Sequence, residues 1–371
     1  MNKLGKTIKK IKKPDLNLIR QAQAKLDSLT KPRGSLGRLE ELAKQIVSIT
    51  GNLRPKIKNK AVVVMAADHG VVEESISAFP KEVTAQMVYN FLNGGAAINV
   101  LARHVGAEVF VIDMGVATDF QKHRLLMLKK IDYGTKNMAS GPAMTIHQAV
   151  QSLEVGIETV EEVIKKDYDI IATGDMGIGN TTASSAIAAV ICETDIESVT
   201  GYGTGIDNRG FKNKVNAIER AISVNKPNKG NGIDVLSKIG GFEIGGIAGI
   251  ILGCAANRIP VVIDGFISGA GALIAATIVP DSTSYVIASH CSVEKGHRFV
   301  LDKLGLEPLF NFDMRLGEGT GAVIGINIAE ASVKILNEMA TFDQAGVSKK
   351  VNKSIHVRNL KEIAGKYTPA Q

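Results

Sequence analysis

"DIIATGDMGIGNTTASSAIAAVI", residues 169–191, passes from a short apolar stretch through three glycines into a second apolar stretch of different rhythm. Ile170 to Thr173 has the continuous apolar character of a strand covered on both faces, whereas the part after Thr181 is longer, alanine-rich and helix-like. A strand that turns through glycine into a helix is the building unit of an open α/β sheet. Four further runs end in the same way, in glycine or a polar group: "AVVVMAADHG" from 61, "AEVFVIDMG" from 107, "PVVIDGF" from 260 and "SYVIASH" from 284. Helical patterns separate them; Thr145 and Gln148 make a capping box ahead of Val150, Leu153, Ile157, Val160 and Ile164 at helical spacing. The expected fold is therefore α/β, a doubly wound, mostly parallel, Rossmann-like sheet. Ligands in that architecture lie beyond the carboxyl ends of the strands, where Asp68, Asp113, Asp175, Asp264 and His290 fall.

The first 50 residues contain no strand pattern but two helical ones around "TKPRGSLGRLEELA" (30–43), and the chain turns helical again from 318. Residues 1–50 and 318–371 are expected to form one small helical domain, ending in a basic tail, that clasps a large domain of 51–317. The apolar runs 244–257 and 266–279 are too short to cross a bilayer and predict buried helices, so no membrane span is expected. The formal charge of +7 resides at the two ends. Residues 1–13 hold six lysines and no acid, and 349–371 hold six basic residues and one acid, which leaves the body with 32 basic against 36 acidic residues. With no Trp and 5% aromatics, that distribution argues against a nucleic-acid partner and reads the termini as basic and frayed. Cys192, Cys254 and Cys291 are too few and too far apart for a disulfide framework or a four-ligand zinc site, and they fit a cytoplasmic protein. No metal-ligand spacing and no secretory signal is present.

The turn from Gly174 to Thr181 has the glycine spacing of a P-loop, yet Asn180 stands where that motif needs lysine. Gly177 and Gly179 likewise begin a dinucleotide fingerprint whose third place is taken by Thr182. Both near-matches point to a phosphate, held by backbone N–H groups at a helix start and by threonine hydroxyls; a purely steric turn is the alternative. A second loop, "GYGTGIDNRGFKNKVNAIERAI" (201–222), puts Gly203, Thr204 and Gly205 ahead of a helix carrying Lys212 and Lys214. Facing the same pocket, it would supply the missing cation, although Lys214 taken alone reads as a solvated helix lysine. In "RLGEGTGA" (315–322), Glu318 stands between glycines before an apolar helix, either complementing the helix dipole or meeting a ligand. His69 and His290 read as buried, hydrogen-bonded histidines, and Cys291 as an unreactive thiol.

From about Leu16 to Met339 the ordered motifs "TKPRGSLGRLE", "ADHGV", "PKEVTAQMVYNFLNGGAAINVLA", "GDMGIGNTT", "GTGIDN", "VVIDGF", "SHCSVEKGH" and "RLGEGTGA" resemble the nicotinate-nucleotide:dimethylbenzimidazole phosphoribosyltransferases. The resemblance implies transfer of 5-phosphoribose from nicotinate mononucleotide to a nitrogen of 5,6-dimethylbenzimidazole or a related base. The products would be nicotinate and α-ribazole 5′-phosphate, for the nucleotide loop of cobalamin. It further implies no cofactor, no metal and a homodimer. It places the general base on Glu318 and the phosphate loop on Gly177, Gly179, Asn180 and Thr181. Other phosphate and ribose contacts fall on Gly203, Lys214 and Ser292, and the acceptor pocket on Gln86 and Ser77. The family commonly has Glu at the substrate-binding position of Asp175, and the shorter side chain here alters its reach. A degenerate P-loop nucleotidase and a non-catalytic nucleotide-binding protein are the competing readings.

Overall fold

The computed structural model describes residues 2–348. The five apolar runs form strands, joined by a sixth: β1 Lys60–Ala67, β2 Ala107–Gly115, β3 Leu126–Leu128, β4 Ile170–Met176, β5 Val261–Ile263 and β6 Val286–Ala288. They make one sheet in the order β3-β2-β1-β4-β5-β6, and every pairing is parallel. This is the doubly wound topology that the strand–glycine–helix pattern predicts, and its order reverses between β1 and β4. A crevice opens there, beyond Ala67 and Met176.

β1 shows why the sheet is covered on both sides. All eight of its residues are buried. Ala61, Val63, Met65 and Ala67 join one core with helices Ile146–Ile164, Asn180–Cys192, Phe242–Asn257 and Phe266–Ile278. Val62, Val64 and Ala66 face the other way, onto helices Val83–Leu92, Ala97–Val105 and Thr320–Glu338. The two apolar runs too short for a membrane are the buried helices Phe242–Asn257 and Phe266–Ile278, and no described helix is long and apolar enough to span a bilayer.

Helices Leu16–Ser28 and Arg38–Thr50 pack around Ala22, Leu26, Leu29, Ala43 and Val47 against Leu336 near the end of helix Thr320–Glu338. Thr30 N donates to Ala340 O (3.0 Å), tying the two ends of the described chain together. Helix Thr320–Glu338 starts against the sheet and finishes in this helical cluster, so it serves both parts.

The lysine-rich N-terminus is not frayed. Residues Lys3–Ile8 form a helix in which Leu4 and Thr7 are buried, and Ile11 is buried after it. Lys3 pairs with Glu158 and Glu161, each at 3.2 Å, and Tyr285 Oη donates to Lys12 O (2.7 Å). Leu4, Ile8 and Ile11 at helical spacing give the segment an apolar stripe that the surrounding lysines mask in the sequence. The basic tail, 349–371, lies outside the described residues.

Candidate active site

Three glycine turns meet at the crevice, each at the start of a helix. Gly179 (φ 98°) precedes helix Asn180–Cys192, Gly265 precedes Phe266–Ile278, and Gly319 (φ 93°) precedes Thr320–Glu338. The glycine itself supplies no side-chain cap at any of the three; ahead of Asn180–Cys192, Asn180 N and Thr182 N turn back to Gly177 O (3.1 Å) and Gly179 O (3.0 Å), and the other first-turn N–H groups are open to a partner. At Thr320–Glu338 they are taken by a carboxylate: Asp264, at the end of β5, accepts from Gly319 N (3.0 Å), Gly321 N (2.7 Å) and Ala322 N (3.0 Å). The other two helix starts line a cleft of about 450 Å³ together with Asp175, Gly177, Gly203, Ser292 and Glu318. Two uncapped helix N-termini aimed at one cleft make it a site for an anion.

The cation that the first loop lacks comes from the second. Lys214 is fully buried rather than solvated; its Nζ donates to Thr181 Oγ1 (2.8 Å) and to Gly201 O (3.3 Å). Because Thr181 Oγ1 accepts from lysine, its own hydrogen is left to donate outward. Burial lowers the Lys214 pKa to about 8, against the pull of Glu294, so the ammonium stays charged at neutral pH. Gly203 needs its lack of a side chain, since a Cβ there would lie 3.0 Å from Thr181 Oγ1 and 3.2 Å from Lys214 Nζ. Ser292 is set by its neighbours: its N–H donates to His297 Nδ1 (2.8 Å) and its Oγ accepts from Glu294 N (3.3 Å), freeing the hydroxyl hydrogen. Burial lowers His290 to about 4; burial and then the charge of His290 lower His297 to about 3, so both rings are neutral near pH 7.

Glu318 projects from a run of three left-handed residues, Gly317 (φ 85°), Glu318 (φ 63°) and Gly319. The turn is pressed onto β4, where a Cβ on Gly174 would meet Glu318 O at 2.4 Å. Its Oε2 accepts from Ile98 N (3.3 Å), and burial raises its pKa above the ordinary carboxylate value despite that bond. Asp175 lines the same cleft and accepts from Asn180 Nδ2 (3.0 Å). Burial, then the charges of Asp264 and Glu243, raise its pKa well above normal, with Asn180 opposing and Glu318 adding a smaller push. Among the described residues, no group of three or more His, Cys, Asp or Glu side chains is arranged to hold a metal ion.

The remaining residues singled out in the sequence reach the cleft differently. Ser77 approaches through Thr204, with 3.2 Å between the hydroxyls. Gln86 is exposed, on the helix whose Val83 and Met87 line the cleft. His69 lies behind the turn of Gly177 and Gly179, buried and 2.6 Å from Glu243 Oε1. Asp68 and Asp113 pin backbone turns, accepting from Ala117 N (2.8 Å) and Val116 N (2.9 Å). Phe79, outside every motif, and Glu294, Arg315 and Leu316, inside motifs but given no role there, also line the cleft, and Arg315 Nη1 donates to Gly203 O (2.8 Å) to link two of its loops.

A phosphoribosyltransferase family model matches residues 11–347. The nicotinate-nucleotide:dimethylbenzimidazole phosphoribosyltransferase of Roseiflexus sp. (strain RS-1) is 56% identical over 351 residues, spanning 95% of this chain and 99% of that protein. The chain belongs to this enzyme family. The enzyme of the same name from Geobacter metallireducens is 55% identical over 349 residues, 94% of this chain and 99% of its own. Among solved structures, CobT from Thermus thermophilus superposes with a TM-score of 0.87 at 44% identity, covering 90% of this chain and 100% of that one. A second structure, of the nicotinate-nucleotide:dimethylbenzimidazole phosphoribosyltransferase from that organism, gives 0.86 at 43%, with 91% and 100% covered. The motifs through which this chain resembles the phosphoribosyltransferases thus include the glycine turns gathered at the cleft.

Proposed function

We propose that the cleft transfers 5-phosphoribose from nicotinate mononucleotide to a nitrogen of 5,6-dimethylbenzimidazole or a related base. The observation that carries this reading is the meeting of the two anion-binding helix starts, Lys214–Thr181 and Glu318 in one cleft. The 5′-phosphate is held at the turn formed by Gly177, Gly179 and Asn180 and the helix start behind it, by the hydroxyls of Thr181 and Ser292, and by the charge of Lys214 behind Gly203. The acceptor enters between Glu318 and the apolar side formed by Phe79, Val83 and Met87, with Ser77 and Gln86 on its outer margin. Its nitrogen attacks C1′ as the C1′–N bond to the pyridinium breaks, and that electron pair leaves on nicotinate as a neutral ring nitrogen. The proton on the acceptor's other nitrogen grows acidic and passes to Glu318. Burial and neighbouring charge disfavour the ionised form of Asp175, and Asn180 Nδ2 occupies its Oδ2, whereas Glu318 is placed as the proton acceptor.

Holding both substrates in register supplies much of the rate. The same reading carries with it a cytoplasmic homodimer; the free cysteines suit a reducing compartment, and light scattering of the purified protein tests the mass. The activity itself is tested by incubating the protein with nicotinate mononucleotide and 5,6-dimethylbenzimidazole and separating the products by chromatography. Release of nicotinate with a matching amount of α-ribazole 5′-phosphate is expected. No nicotinate across a panel of acceptors and pH values would overturn the assignment.

A further inference from the structure

Glu318 sits in a turn closed locally only by Thr320, whose N and Oγ1 both donate to Gly317 O (3.1 and 2.8 Å). It projects from a turn of three consecutive left-handed residues, a conformation that costs a non-glycine residue roughly 1–2 kcal/mol and that the chain would leave if nothing held it. Its own side chain contributes one long bond, 3.3 Å to Ile98 N. The turn is held instead from the next strand. Asp264 is 1% exposed and places Oδ2 on Gly319 N (3.0 Å), with Oδ1 shared between Gly321 N (2.7 Å) and Ala322 N (3.0 Å). A carboxylate with both oxygens occupied by the first-turn amides of one helix fixes that helix start in position and rotation. The nearest basic group is the ring of His290, with Nδ1 3.8 Å from Oδ1, and the amides rather than an ion pair account for the bonds that Asp264 makes.

We propose that Asp264 is a positioning residue for the reaction: by clamping the amides that follow Glu318, it aims that carboxylate at the acceptor. The proposal rests on the transfer reading above, in which Glu318 takes the acceptor's proton. Asparagine is the informative replacement, because it keeps the shape but must turn its NH₂ toward one amide set. Either Gly319 N, or Gly321 N with Ala322 N, then faces a donor instead of an acceptor.

The test is a double-mutant cycle in the full-length protein, read as kcat, donor KM and nicotinate mononucleotide affinity by calorimetry. Asp264→Asn is expected to lower kcat about 10- to 100-fold, the cost of a misaimed group, while donor affinity stays within about threefold. In a Glu318→Gln background the same change is expected to cost less than about twofold, because the group it aims is already gone. Unchanged kcat in Asp264→Asn, or an equal further loss on top of Glu318→Gln, overturns the proposal. If circular dichroism shows Asp264→Asn unfolded, Asp264→Ser, with room for a water to reach the amides, takes its place in the cycle. Loss of the fold in both variants assigns Asp264 to folding and likewise overturns the proposal. A wild-type protein that releases no nicotinate fails at the earlier step, and its failure is distinct because no variant is needed to see it.

Discussion

At the scale of single residues, the cleft separates two kinds of ionisable group. Lys214 is fixed by donating to Thr181 Oγ1 and Asp175 by accepting from Asn180 Nδ2, whereas Glu318, buried like them, accepts one long bond from Ile98 N in a turn of left-handed residues. Replacing Glu318 by Gln should keep nicotinate mononucleotide affinity and lower kcat by about 10²–10⁴, the contribution of a general base. Burial places the Glu318 pKa above the ordinary carboxylate value, and its ionised form is the active one. Hence kcat of the wild type should fall as pH falls through that raised pKa, and the limb should be missing from the residual activity of Glu318→Gln; the same limb in both proteins would assign it to another group. Lys214→Met removes a charged hydrogen-bonding group worth about 1.5–3 kcal/mol, so the donor KM should rise about 10- to 100-fold. The unphosphorylated riboside, assayed in parallel, should be affected far less. The glycine loops were legible because their spacing exposes amides in any context. Asp264 and His290 were legible only as strand ends, since what they touch is the turn around Gly319 and Gly321, far along the chain, and no local pattern reports that meeting.

At the scale of elements, five strands could be read from the sequence, even the three-residue β5 and β6, because burial on both faces demands uninterrupted apolar runs. β3 could not: unlike β6, the equally short strand at the opposite edge, it is buried at Leu126 alone, and with charged residues close on either side it carries no such signal. Helix pairing was equally hidden. Ile146–Ile164 and Phe242–Asn257 approach backbone to backbone, and a Cβ on Gly156 would fall 2.1 Å from Gly246 O and 2.7 Å from Ile250 N. Those atoms are main chain and cannot rotate aside, so Gly156→Ala must push the helices apart. A loss of about 1–3 kcal/mol is expected, visible as a lower urea midpoint at unchanged slope. An unshifted midpoint would mean that the helices slide without cost and that their glycines serve another purpose.

On the scale of the whole molecule, catalysis and anchoring occupy opposite ends of the strands. The cleft lies beyond the carboxyl ends of β1 and β4. The N-terminal segment docks at the other end, through Lys3 on Glu158 and Glu161 near the end of the helix that leads into β4 and through Lys12 O on Tyr285 just before β6. Its exposed ion pairs add little, but burying Leu4 and Ile11 is worth about 1.5–3 kcal/mol for each side chain. Deleting residues 2–13 should therefore lower the thermal midpoint by several degrees, as scanning calorimetry would register. Because the deleted contacts and the reacting groups share no partner, kcat and both KM values measured below that midpoint should stay within about twofold of the intact protein. A tenfold fall in kcat in the folded, truncated enzyme would show instead that the basic segment reaches the site, and would break the separation of the two ends argued from these contacts.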